Sequence, residues 1–137
     1  MSIRYGTVME KKEALQMNAI QLAYLGDCVW EMIVRYELVK KRLSVHHMHK
    51  ECVKLVNARA QADIMRMLDT ICSEEEREIV RRGRNSHPGH TVPHNQNPED
   101  YALSTGFEAL FGFLYLTGND ERIKQIIQII KEVYFHG

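Results

Sequence analysis

Residues 17–36 constrain this chain more than any other stretch, because they read as one long helix that is apolar on most of its sides and yet holds Asp27 inside the apolar pattern. Leu22, Leu25, Val29, Met32 and Tyr36 recur at spacings of three and four residues, which lines them along one face. Ile20, Ala23, Tyr24 and Cys28 form a second stripe beside it. A helix apolar on most sides is expected to be buried on most sides. A carboxylate is costly to bury without a partner, so Asp27 calls for a cation, a donor or a wet cleft. Gly26, just before it, is a poor helix former unless another backbone passes close by. Taken alone, Asp27 also fits a capping or structural aspartate.

A second stretch decides between these readings. Residues 101–116 are again helical in pattern and apolar almost all round, with Glu108 as the one acid and Gly106, Ala109 and Gly112 around it. Two such helices packed closely would bring Asp27 and Glu108 together. Adjacent carboxylates repel unless one is protonated or a metal bridges them. Magnesium suits the second case: it takes one or two carboxylates, keeps several waters and shares phosphate oxygens.

At these residues the chain resembles a known family. Leu22-Ala-Tyr-Leu-Gly-Asp-Cys-Val-Trp30 is similar to the ribonuclease III signature, whose core is Leu-Glu-Phe-Leu-Gly-Asp. Phe107-Glu-Ala-Leu-Phe-Gly112 resembles that family's second motif, Val-Glu-Ala-Leu-Ile-Gly. The segment from Leu55 to Ile64 resembles the family's Leu-Val-Asn and Leu-Ala-Glu-Ile segment. Ser104-Thr-Gly-Phe-Glu-Ala-Leu110 and Arg82-Gly-Arg-Asn85 resemble the Mini-ribonuclease III branch, which lacks a double-stranded-RNA-binding domain. The larger enzymes carry a Glu four residues before the signature Asp and an Asp three residues before the second Glu. Ala23 and Thr105 stand at those places here. Water, a hydroxyl such as that of Thr105, and RNA phosphates can complete a magnesium shell instead.

The resemblance implies an all-α, ribonuclease III-type endonuclease domain over residues 1–137. It implies a magnesium-dependent endoribonuclease that cleaves double-stranded RNA, with Asp27 and Glu108 as catalytic and metal-binding residues. It also implies a symmetric homodimer with one site per protomer. The expected substrate is precursor large-subunit (23S) ribosomal RNA in the cytoplasm, which makes a ribosomal protein or the pre-ribosome a candidate further partner.

The rest of the chain reads as helical too. Ser44 suits an N-cap for a helix through His49, Val53 and Val56, and Asn57 suits a cap for the next, with Ala58, Ala62, Met65 and Leu68 inward. Ser73-Glu-Glu-Glu76 is a capping-box pattern that opens a helix through Ile79 and Val80. The composition from Asn85 to Pro98 is that of a loop. Gly118-Asn-Asp120 turns into a last amphipathic helix with Ile123, Ile126, Ile127, Ile130 and Val133.

The net charge is zero, so charge alone says little about nucleic acid. Its distribution says more: Lys40, Lys41, Arg42, Lys50, Lys54 and Arg59 face only Glu51 between residues 40 and 59, and Arg77, Arg81, Arg82 and Arg84 follow. A solvated face is the ordinary reading of such runs. Beside the two acid motifs, a strip that grips RNA phosphates is the stronger one. Duplex RNA is held through shape, phosphates and 2′-hydroxyls. The expected RNA contacts are Lys50, Lys54 and the segment Arg81–Asn85 with the loop after it: Arg82, Arg84, Asn85, His87 and His90 offer donors, and Gly83 and Gly89 allow close approach.

No apolar run reaches the length of a membrane span, and residues 1–12 lack the apolar region of a signal peptide. Cys28, Cys52 and Cys72 are scattered and odd in number, as suits buried free thiols in a reducing compartment. The histidines at 46, 47 and 49 and at 87, 90 and 94 do not complete a familiar zinc pattern. Trp30 and the methionines read as core or interface packing. The rival function is a catalytically silent helical adaptor that binds RNA or a protein; keeping both Asp27 and Glu108 argues against it.

Overall fold

The computed structural model describes residues 4–86 and 95–135. Among these residues there are seven α-helices, one 3-10 turn at Asp69–Ile71, and no strand. The helices are α1 (Lys11–Leu15), α2 (Ala19–Lys40), α3 (Val45–Val56), α4 (Ala58–Leu68), α5 (Glu74–Arg84), α6 (Pro98–Leu116) and α7 (Asp120–Tyr134).

The helix starts follow from side-chain capping. The Ser44 hydroxyl accepts from His47 N–H, and the Asn57 side chain accepts from Ala60 N–H. Asn18 and Ser73 open α2 and α5 with reciprocal capping boxes, to Gln21 and Glu76. Asn97 caps α6, with Pro98 at its first position, where a missing N–H costs nothing. Helix α6 stops at Gly118, whose φ of 71° is left-handed. Gly118 N–H donates to Tyr115 C=O and Asn119 N–H to Leu114 C=O, which satisfies the carbonyls of the last turn.

The molecule is built around α6, which packs on α2, α4, α5 and α7. Its crossing with α2 is made by glycine. A Cβ on Gly26 would lie 1.6 Å from the carbonyl oxygen of Glu108, and one on Gly112 would lie 1.9 Å from that of Leu22. The two backbones therefore touch, and no side chain fits between them. Beside this crossing Trp30, Phe107 and Phe111 form one aromatic cluster. The Trp30 and Phe107 rings meet edge to face at 5.1 Å, and the Phe107 and Phe111 centroids are 4.9 Å apart. The Trp30 indole N–H donates to Leu55 C=O at 2.9 Å, so its polar end is satisfied and α3 is tied to α2.

Helix α2 is covered on fewer sides than its composition suggests. Leu22, Trp30, Val34 and Leu38 are buried, whereas Tyr24, Met32, Tyr36 and Val39 are exposed. Trp30, read as core or interface packing, is fully buried in the core. Cys52 and Cys72 are buried as expected, but Cys28 lies exposed on the open face of α2.

Candidate active site

The glycine crossing decides where the acids go. Asp27 follows Gly26 on α2, and it is the backbone oxygen of Glu108 on α6 that Gly26 touches. Two helices brought into backbone contact at those residues carry their carboxylates to one place. The two side chains interact directly, by hydrogen bonding and by charge.

Their surroundings differ. Asp27 is exposed, at one end of an open groove along α2 shared with Cys28, Met32, Tyr36 and Val39. Glu108 is half-buried behind it. Burial pushes the Glu108 carboxyl up to about 8, with hydrogen bonding to Asp27 and the charge of Asp27 adding to the shift. One group works the other way: the Gln61 amide, reaching in from α4, donates from Nε2 to Glu108 Oε2 at 3.5 Å. The cost of a buried carboxylate, expected at Asp27, therefore falls on Glu108.

The site holds two carboxylates with water access at Asp27. Among the described residues no cluster of three or more His, Cys, Asp or Glu could hold a metal ion. Two carboxylates still fit a hard cation such as magnesium, which keeps most of its waters and is bound by one or two acids together with substrate phosphates. Ala23 is buried one turn before Asp27. The Thr105 hydroxyl is buried and donates to Tyr101 C=O at 3.1 Å.

The expected RNA contacts are dispersed. Lys50 and Lys54 are exposed on α3, and Lys54 pairs with Glu51 at 2.8 Å. Arg82 is turned back on the chain, donating to the carbonyls of Leu15 at 3.1 Å and Met17 at 2.5 Å. Arg84 is exposed and lines a polar hollow with Arg66, Arg77 and Arg81. Asn85 is the exposed C-cap of α5. His87 and His90, with Gly89 and His94, lie outside the described residues. Sequence reasoning missed Gln61; the available signal was an amide on the inward stripe of α4, in line with Ile64, Met65 and Leu68.

Comparison with known proteins identifies the family. The family model described as Ribonuclease III domain matches residues 20–119, a span that contains both acids. The chain is similar to the protein named Mini-ribonuclease 3 of Symbiobacterium thermophilum, with 41% identity over 94% of this chain and 99% of that protein. It is likewise similar to that of Thermoanaerobacter sp., with 40% identity over 92% of this chain and 89% of that protein. Among solved structures, a crystal structure of a protein from Fusobacterium nucleatum superposes with a TM-score of 0.78 at 29% identity, covering 85% of this chain and 93% of that one.

Proposed function

The chain belongs to the ribonuclease III family and is an endoribonuclease of the kind that acts on double-stranded RNA, and from that premise we propose that Asp27 and Glu108 make it a magnesium-dependent one. The observation that carries this reading is the meeting of the two acids at the Gly26 crossing, with Asp27 open to solvent. Magnesium held there supplies a bound water of lowered pKa and offsets charge on the scissile phosphate. Asp27 presents its carboxylate at the surface, where a phosphate backbone can approach. Glu108, set deeper, carries a proton near neutral pH in the absence of a cation and yields it when one binds. The reaction needs no side-chain nucleophile.

The finer reading has three parts. A two-fold homodimer, supported by the open apolar face of α2, sets two sites across one duplex. Precursor large-subunit ribosomal RNA is the substrate, which rests on likeness to the Mini-ribonuclease 3 proteins. Residues 1–137 act as one catalytic domain in the cytoplasm. No helix among the described residues is long and apolar enough to cross a membrane.

The test is a long perfect RNA duplex incubated with the pure protein in magnesium or in EDTA. Fragments are expected in magnesium alone, and Asp27→Asn or Glu108→Gln should slow their formation by on the order of 100-fold while duplex binding persists. Fragments that form equally in EDTA, or a variant that cuts at the wild-type rate, overturn the metal assignment. Duplex that shifts on a gel but stays intact returns the protein to the adaptor reading.

A further inference from the structure

Gln61 stands where an apolar side chain would be the default. It shares the inward stripe of α4 with Ile64, Met65 and Leu68, and it is 1% exposed. Burying an amide there is unfavourable compared with a Leu or Met of similar volume unless the amide is paired. Its Nε2 is paired, with Oε2 of Glu108. We propose that Gln61 is a positioning residue, whose amide holds the Glu108 carboxylate in the orientation in which it meets a divalent cation beside Asp27. The inference rests on the reading of Asp27 and Glu108 as cation ligands.

The placement suits that role. Helix α4 is fixed at its start by the Asn57 cap, so Gln61 sits on a rigid element rather than a loop. Rigid support matters because Glu108 has a flexible side chain of its own and a neighbouring carboxylate that repels it. An amide is also the right chemical type. It donates to the carboxylate without cancelling its charge, as Arg or Lys would, and without adding repulsion, as a third acid would. Hydrogen-bond partners of ligating carboxylates typically account for about 10–100-fold in metal affinity or activity.

The variant to make is Gln61→Met, which keeps volume and removes the donor; Gln61→Leu takes its place if the Met variant is too unstable to assay. Manganese binding to the purified full-length protein, followed by electron paramagnetic resonance, reads the ion without relying on turnover. Wild type and Asp27→Asn come first: equal manganese affinity in the two means that the acids are not the ligands, and the underlying reading fails. If they differ, Gln61→Met should weaken manganese binding by about 10–100-fold and lower kcat on duplex RNA to a similar degree. Its melting temperature and its duplex affinity in EDTA should stay at wild-type values. Unchanged manganese affinity and kcat overturn the proposal. So does a loss that comes with a lower melting temperature and weaker duplex binding, since that is what a packing role predicts.

Discussion

Asp27 and Glu108 share one crossing and have different electrostatic fates. Asp27 keeps its water, whereas Glu108 gives up much of its own and faces a second acid, which lifts its carboxyl from 4.5 to about 8. The consequence for stability has a definite sign. Between those two pH values the folded chain holds a proton that the unfolded chain has released, so stability falls as pH rises from about 4.5 to about 8 and is level above that. Glu108→Gln removes the penalty. In EDTA its melting temperature should exceed that of wild type by roughly 5 °C at pH 8 and match it at pH 4. Melting curves at both pH values check this; a wild-type curve that declines no more than that of the variant across the interval would refute it. The presence of both acids was legible in sequence, because each interrupts an otherwise apolar helix. Which of them is buried was not. That depends on which flank of α2 is covered, and an apolar residue on every flank gives no vote. Gln61 was harder still, since a glutamine within a helical pattern looks the same whether it faces solvent or an acid.

At the scale of elements, capping made the chain readable. Ser44, Asn57 and Ser73 each mark a helix start, and each accepts the expected backbone N–H in the structure. Side chains that reach between elements were not readable, and Arg82 is the clearest case. The spacing places it in a basic run at the end of α5, yet its guanidinium fastens α5 to the end of α1 and the link to α2 through the carbonyls of Leu15 and Met17. Most of its basic neighbours are engaged too: Arg81 with Glu78, Arg77 with Glu74, and Arg66 with Asp63 and Asp100. Those pairs are largely exposed, and such pairs add little stability and rearrange readily for a phosphate. Arg82 and Arg84 should therefore separate in experiment. Arg82→Ala removes two charge-assisted bonds from a partly buried group and should lower stability by about 1–2 kcal/mol, seen as a drop of several degrees in melting temperature. Arg84→Ala should melt like wild type, bind duplex RNA more weakly, and reduce the magnitude of the log affinity against log salt slope by about 1, since about one counterion fewer is released. An Arg82→Ala protein as stable as wild type would discard the fastening role, and an unchanged salt slope for Arg84→Ala would make the end of α5 a plain connector.

At the scale of the whole molecule, the described residues leave one face of α2 bare. Tyr24, Met32, Tyr36 and Val39 are 86%, 58%, 51% and 61% exposed along α2, and the last three line the groove that Asp27 opens, together with Glu31, Arg35 and Lys40. Isolated exposed apolar residues are ordinary, but several of them along one helix beside a proposed site residue are what the proposed dimer interface would cover. Trp30 adds nothing to this face, since it anchors the interior; the unmet apolar surface is that of the tyrosines, Met32 and Val39. A self-complementary strip on one helix suits a two-fold axis, which meets the same residues on both copies. A specific interface of this kind buries about 800 Å² on each partner. The proposed dimer would also have a functional reason: if one acid pair reaches one strand, cutting both strands of a duplex takes two pairs in fixed relation. Light scattering at micromolar concentration should give about twice the 16.0 kDa chain mass. Met32→Glu with Tyr36→Glu places charges on the strip without touching the acid pair, and should yield a folded monomer whose products on a perfect duplex are nicks in single strands rather than double-strand cuts. A wild-type monomer that severs both strands in one encounter would remove the dimer from the account, because two-strand cutting would then have to come from a single acid pair.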